Sequence, residues 1–432
     1  MKSGGRSVEP RLTSFGKAPT YVDVFAGCGG LSLGLHRAGW RGLFAVEKDA
    51  FAFETLSTNF LTSDAKYPFD WPVWLPKRPT TVEDLLRDHA QELAQLRGKV
   101  DMLAGGPPCQ GFSSAGRRMA DDPRNSLVER YLELVEILQP TILLLENVRG
   151  FTLDFQARTG GGGKRRENAA AQLMRRLSKN YEVETDILRA SDFGVPQNRP
   201  RFILVAVRRG SGAASGALND LRFTAALVAQ QHGIGLVNSA GEAISDLELS
   251  RNETVPCPDT VGFEAVGYRG PLTPFQHAMR DGYDAPPSDT RLARHTHAVR
   301  ERFADIIETC RAEGRGSRQL SAEMRERLGI RKLTTRVLDP NLPAPTVTSM
   351  PDDLLHYREP RTLTVRENAR LQTFPDWFRF CGKYTTGGHL RRIEVPRFTQ
   401  VANAVPPLLA EILGTRIKQH CLGAIRPKLE AG

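Results

Sequence analysis

The chain has 432 residues, 40% of them hydrophobic, enough for two or three domains with proper cores. Lys and Arg number 59 against 49 Asp and Glu, and the formal charge of +10 suits a polyanionic partner such as nucleic acid. No apolar h-region opens the sequence and no run of about 18 apolar residues occurs, so neither a secretion signal nor a membrane span is expected, and the cytoplasm is the expected compartment. Six cysteines, Cys28, Cys109, Cys257, Cys310, Cys381 and Cys421, are scattered without CxxC pairs, which argues against a disulfide framework or a zinc site.

From Thr20 onward, apolar strands alternate with amphipathic helices. The strands are Tyr21 to Phe25, Gly42 to Val46, Val100 to Ala104, Thr141 to Glu146, Tyr181 to Leu188 and Phe202 to Val207. Leu31 to Ala38, Asp49 to Phe60, Val82 to Leu96, Asn125 to Leu138 and Asn168 to Leu177 carry apolar residues at helical spacing. This alternation predicts βαβ units and a parallel sheet with helices on both faces. After Arg208 the pattern changes to a Gly/Ser/Ala-rich stretch, Gly210 to Gly216, followed by irregular sequence, and a domain boundary is expected there. Regular signals return at Leu363 to Gln372, where Thr364 and Glu367 have the spacing of a capping box, and at a last helix from Pro407 to Ile417. Gly160 to Arg166 reads as a flexible basic loop.

The turn Asp23-Val24-Phe25-Ala26-Gly27-Cys28-Gly29-Gly30-Leu31 joins the first strand to the first helix, and its glycines let a ligand approach backbone N–H groups. Glu47 ends the next strand, about 20 positions on, suited to ribose hydroxyls. A dinucleotide-binding pattern would need glycine or alanine where Ser32 stands. A carboxylate at Asp23 would repel a pyrophosphate but suits a cationic sulfonium with an amino group, which points to S-adenosylmethionine as cofactor. Cys109 lies in Gly106-Pro107-Pro108-Cys109-Gln110-Gly111-Phe112-Ser113, directly after a buried strand. Proline ends the strand in an extended turn, so the thiol emerges at the carboxyl end of the sheet, where α/β folds build active sites, and a lowered pKa would make it a nucleophile.

Taken in order, these segments resemble the DNA (cytosine-5)-methyltransferases of bacterial modification systems from about Thr20 to Pro407. Asp23 to Gly30 is similar to the family's cofactor motif, Gly106 to Ser113 to its nucleophile motif, and Asp122-Pro123-Arg124-Asn125-Ser126-Leu127 to the segment after its catalytic loop. Glu146-Asn147-Val148 resembles the base-holding motif and Gln197-Asn198-Arg199-Pro200-Arg201 the Gln-x-Arg-x-Arg motif. Arg361 to Pro375 resembles the motif that closes the recognition region, and Asn403-Ala404-Val405-Pro406 the last motif, which folds back onto the cofactor.

The resemblance implies a Rossmann-like α/β methyltransferase domain with a smaller, irregular target-recognition domain. The divisions are a tail at 1–18, a catalytic and cofactor domain at 19–209, recognition and closing segments at 210–397, and a returning segment at 398–432. It implies methyl transfer from S-adenosylmethionine to C5 of a cytosine flipped out of duplex DNA. Cys109 would attack C6, Glu146 would serve N3, Arg201 would contact O2, and Arg199 would hold a phosphate. Phe25 would lie against adenine, and Glu47 would take the ribose. Asp84 would receive the adenine amino group, with Asp64 as fallback. Asp23, Ala26, Gly27, Gly29, Gly30, Leu31, Pro107, Asn403 and Ala404 would complete the cofactor site. Gln110, Ser113, Arg117 and Arg118 would meet DNA. Ala402 stands where the family usually has glycine.

Recognition is expected between about Gly210 and Asp339, where no code maps side chains onto bases. His295 and His297 have no cysteine or carboxylate at ligand spacing, so no metal is expected. Two other readings stay open. An RNA cytosine-5 methyltransferase on this scaffold would carry a Cys-Phe-Thr signature that is absent, and a non-catalytic cofactor-binding regulator would not need Cys109, Glu146 and Arg201 together. A restriction enzyme or other defence protein is a candidate companion, and a monomer on DNA is the expected form.

Overall fold

The computed structural model describes residues 18–107, 126–152, 168–388, 390 and 393–423. The apolar runs of the first half form β1 (Thr20–Val24), β2 (Arg41–Val46), β3 (Met102–Gly105), β4 (Ile142–Val148), β5 (Tyr181–Arg189), the two-residue β6 (Gln197–Asn198) and β7 (Pro200–Arg208). All but β6 share one sheet in the order β2-β1-β3-β4-β7-β5. β1 pairs in parallel with β2 and β3, and β3 with β4, so Asp23, Gly105 and Leu145 lie in neighbouring strands near one end of the sheet.

The sheet is mixed rather than wholly parallel as expected, because β7 runs antiparallel to both β4 and β5. Only a short turn at Ala190–Phe193 and β6 connect β5 to β7. That is too short for the crossover a parallel pair requires, so the chain doubles back.

Side chains of β1 alternate between two buried layers, Tyr21 on one side and Val22 and Val24 on the other. α1 (Gly30–Arg37) and α2 (Ala50–Phe60) cover the first face. α3 (Val82–Asp88), α4 (Ala90–Gln95), α5 (Ser126–Leu138) and α6 (Ala169–Leu177) cover the second. The helix expected over Val82 to Leu96 is broken at His89, whose φ of −130° leaves the helical well and whose ring lies 5.3 Å from that of Trp74.

The second half adds α7 (Leu221–His232), α8 (Ala240–Ile244), the antiparallel hairpin β8 (Thr254–Pro256) and β9 (Glu264–Val266), α9 (Pro274–Arg280), α10 (His297–Ala312) and α11 (Ala322–Arg327). It continues through β10 (Arg336–Val337), β11 (Ala344–Pro345), β12 (Leu354–Leu355), α12 (Val365–Leu371), α13 (Arg397–Asn403) and α14 (Pro407–Ile417). α14 seats on α1, where Trp40 Nε1 donates to the Gly414 carbonyl at 2.9 Å. The boundary expected at residue 210 cuts through this layer, because Ala214, Leu221, Ala225, Val228 and Ile244 are buried in the same core as α1 and α14. A separate small core joins Ile306, Ile307, Cys310, Leu320, Met324, Val337 and Leu355. The capping box at Thr364 and Glu367 is formed, and Arg361 pairs with Glu367 at 2.7 Å.

Candidate active site

The turn after β1 is bent by backbone in the left-handed region: Phe25, Gly27 and Gly29 have φ of 59°, 57° and 93°. For Phe25, which has a Cβ, that conformation is costly and marks a tightly constrained turn. Glu47 holds the turn from the end of β2, its Oε2 accepting from the Gly27 N–H at 2.9 Å and its Oε1 from the Asp49 N–H at 2.7 Å. Burial raises the Glu47 pKa against these two donors, and each oxygen keeps lone-pair capacity for a ligand hydroxyl. Asp23 is buried on β1; one oxygen accepts from the Ser32 hydroxyl at 2.5 Å, and Oδ1 has no hydrogen-bond partner among the described residues. Burial pushes the Asp23 carboxyl up to about 7.

The last motif closes on this turn. A Cβ at Gly30 would stand 2.4 Å from the Val405 carbonyl oxygen, so only glycine lets α1 start there. Asn403 is exposed at the end of α13, with Ala404 buried beside it. A turn with open backbone, an acceptor carboxylate at Glu47, an unpartnered buried carboxyl oxygen at Asp23 and an exposed Asn403 fit a nucleoside cofactor with a cationic centre.

The second half of the site is built where β3 meets β4. A Cβ on Gly106 would lie 2.1 Å from the Glu146 carbonyl oxygen, so glycine is required for the turn to pass this close to β4. Asn147 Nδ2 donates to the Pro107 carbonyl at 2.9 Å and fixes the turn two residues before Cys109. Glu146 Oε1 lies 2.7 Å from Arg201 Nε, the pair being 13% and 10% exposed at the side chain. Val148 faces Arg201 across the β4–β7 ladder, which puts Glu146 and Arg201 at diagonal same-face positions. Burial works against the Arg201 charge, and Glu146 opposes that loss.

Two expectations are corrected. Arg199 is 1% exposed and donates to the Ala402 and Ala404 carbonyls at 2.6 and 3.0 Å, so it clamps the last motif from inside and cannot meet a phosphate. Gln197 donates to Gln372 Oε1 at 2.9 Å, and Gln372 in turn donates to the Val401 carbonyl at 2.7 Å, extending the same clamp. Asp84 sits half-buried in the first turn of α3, accepting from the hydroxyl of the cap residue Thr81 at 2.7 Å and paired with Arg87 at 2.7 Å, so its carboxylate is committed to the helix start rather than free for adenine. Thr80, not an acid, abuts β2 here, its N–H donating to the Glu47 carbonyl at 2.8 Å. Asp64 is exposed in the turn after α2.

Cys109, Gln110, Ser113, Arg117, Arg118 and the Gly160 to Arg166 stretch lie outside the described residues. Burial pushes the thiols of Cys28 and Cys421 up to about 12 and raises those of Cys310 and Cys381, which makes all four poor nucleophiles. No separate role was legible for Asn147, Gln197 or Gln372, because an amide carries no charge or spacing signal and only its contacts reveal what it ties down.

A family profile described as C-5 cytosine-specific DNA methylase matches residues 20–419. Type II methyltransferase M.DdeI of Desulfomicrobium norvegicum is 32% identical over 413 residues, covering 92% of this chain and 88% of its own. Type II methyltransferase M.XorII of Xanthomonas oryzae pv. oryzae is 31% identical over 434 residues, covering 95% of this chain and 86% of its own. A crystal structure described as a prophage-encoded DNA modification methyltransferase of Escherichia coli shares the fold, with a TM-score of 0.60 at 24% identity over 93% of this chain and 99% of that one. The chain belongs to the C-5 cytosine-specific DNA methylase family, the DNA (cytosine-5)-methyltransferases that use S-adenosylmethionine as methyl donor.

Proposed function

We propose that this enzyme methylates C5 of a cytosine flipped out of one specific duplex DNA sequence, through a covalent bond between Cys109 and C6. The observation that carries the reading is the Glu146–Arg201 pair at 2.7 Å, on the strand whose next residue, Asn147, holds the turn leading to Cys109. In this reading the Cys109 sulfur adds to C6, and the ring electron pair moves to C5 while Glu146 supplies hydrogen bonding or a proton at N3. Arg201 holds O2 and keeps Glu146 oriented. S-adenosylmethionine, when bound, supplies the electrophilic methyl group that C5 takes. Loss of the C5 proton to a base then restores the C5–C6 double bond as the S–C6 electron pair returns to sulfur.

Glu47 would take the ribose hydroxyls, Phe25 would lie against adenine, and Asp23 and Asn403 would face the methionine end. The loop bearing Gln110, Ser113, Arg117 and Arg118 would contact the duplex from which the base is flipped, at a cost of a few kcal/mol. The segment between about Gly210 and Asp339 would select the sequence. Relatives named as type II methyltransferases support a restriction-modification role. A restriction enzyme or other defence protein would be its companion, and a monomer would act on nucleoid DNA.

Sequencing of 5-methylcytosine in DNA from cells producing the protein tests this. The wild type should mark one cytosine in one short sequence, and Glu146→Gln should mark none; unmodified DNA with the wild type would overturn the reading.

A further inference from the structure

A row of alternating arginines and rings crosses the second half of the molecule. The Arg294 guanidinium lies 4.2 Å from the centre of the Phe263 ring; that of Arg291 lies 4.3 Å from Phe263 and 3.6 Å from Tyr384; that of Arg397 lies 4.2 Å from Tyr384. The row is anchored at its Arg397 end. Arg397 opens α13 and pairs with Asp259 and, at 3.0 Å, with Asp289, while the Tyr384 hydroxyl donates to Asp259 at 3.1 Å. The hairpin turn is closed by the Cys257 N–H on the Phe263 carbonyl at 2.8 Å, and the Leu292 N–H donates to the Glu264 carbonyl at 2.8 Å. Residues 291–294 are therefore tied to β9, and the row to the helix that ends at Asn403.

The other end carries no direct ion pair among the described residues. Among the described residues, neither Arg291 nor Arg294 has a carboxylate within ion-pair distance; Arg291 is half-buried and Arg294 exposed. A Cβ on Gly262 would stand 3.0 Å from Arg294 Nη2, so the turn backs directly onto this guanidinium. The neighbouring Val261 is fully exposed, and Val255 on β8 is 42% exposed.

A guanidinium stacked on a ring has given up rotamer freedom before any ligand arrives and keeps its N–H edge in a fixed plane. Such an edge can pair two phosphate oxygens as well as a base, so the groups beside it decide between them. A fixed planar donor edge beside exposed aliphatic groups matches the major-groove floor, where guanine offers N7 and O6 to one arginine and thymine offers a methyl group. We propose that Arg294 reads a guanine of the target sequence, with the β8–β9 hairpin in the major groove and Phe263 and Arg291 as positioning residues. This rests on the reading of the chain as a duplex-DNA methyltransferase.

The test is methylome mapping with wild type, Arg294→Ala and Arg294→Lys, with methylation rates measured on duplexes altered one base pair at a time. Both variants should accept other pairs at one G·C position, where discrimination falls by about 5- to 150-fold. Phe263→Leu should relax the same position partially. A motif kept intact by both variants overturns the inference, whether the rate is unchanged or is lowered by alanine and restored by lysine, as for a phosphate contact. A wild type that methylates no DNA cytosine would overturn the functional reading as well.

Discussion

Asn147 joins two strands at the centre of the site: its Nδ2 donates to the Pro107 carbonyl at 2.9 Å, and its Oδ1 accepts from the Val148 N–H at 2.8 Å. The side chain that follows the Glu146 carboxylate thus sets where the chain turns toward Cys109. Asn147→Ala should cost about 1–3 kcal/mol of stability, the penalty of an unmade buried hydrogen bond. It should lower turnover toward 100-fold or so, as small misplacements of reacting groups do. Cofactor affinity should stay within about twofold, since the cofactor turn is held separately by Glu47. Single-turnover methylation alongside calorimetric cofactor titration checks this, and a wild-type rate would rule the positioning role out.

Arg199 donates to the Ala402 and Ala404 carbonyls from a fully buried position, so it holds the last motif and is not placed to meet DNA. Arg199→Ala should destabilise the protein by about 1–3 kcal/mol and weaken cofactor binding by loosening the Asn403 turn. The slope of log DNA affinity against log salt should not change, whereas loss of a phosphate contact would reduce it by about 1. A reduced slope would restore the phosphate role.

Glu47 carries two tasks, since its carboxylate fixes the Gly27 and Asp49 N–H groups and is the acceptor assigned to the ribose. Glu47→Ala should weaken S-adenosylmethionine by roughly 1.5–3 kcal/mol while leaving DNA affinity nearly intact. Glu47→Gln keeps one acceptor oxygen and should fall between. Calorimetry showing equal cofactor affinity for all three proteins would contradict the assignment.

Burial pushes the Asp23 carboxyl up to about 7 from an ordinary value of 3.8. Between those values the folded protein keeps a proton that the unfolded chain has lost, so this group favours folding most at the acid end. That contribution declines as pH rises from about 4 to about 7 and is flat above. Asp23→Asn should remove this decline. Urea denaturation of both proteins across that range is the check, and parallel stability profiles would show that Asp23 does not titrate in this way.

Much of this was legible in the sequence because it is local. Strand runs, the glycine turn and the capping box at Thr364 each depend on a few adjacent residues. The antiparallel β7 was not legible, since a buried strand reads the same in either direction and only the short link after Arg189 reverses it. Arg199 and Arg201 are two residues apart on one motif, yet one clamps carbonyls and the other pairs with Glu146, a division made by partners about 200 and 55 positions away along the chain. Asp84 failed for the opposite reason: its nearest partners, Thr81 and Arg87, are local and absorb it into a helix cap. Arg294 stands out only once Phe263 and Arg291 are seen beside it.

The nucleophile is the central claim, and a duplex carrying 5-fluorocytosine at the target position tests it most directly. Fluorine at C5 blocks the elimination that frees the enzyme, so wild-type protein with S-adenosylmethionine and the cognate site should stall as a covalent protein–DNA adduct. Denaturing electrophoresis should show the adduct, peptide mass mapping should place it on Cys109, and Cys109→Ala should form none while still binding the site. A wild type that methylates ordinary DNA but forms no adduct would contradict the mechanism, as would an adduct on Cys28, whose buried thiol is pushed up to about 12.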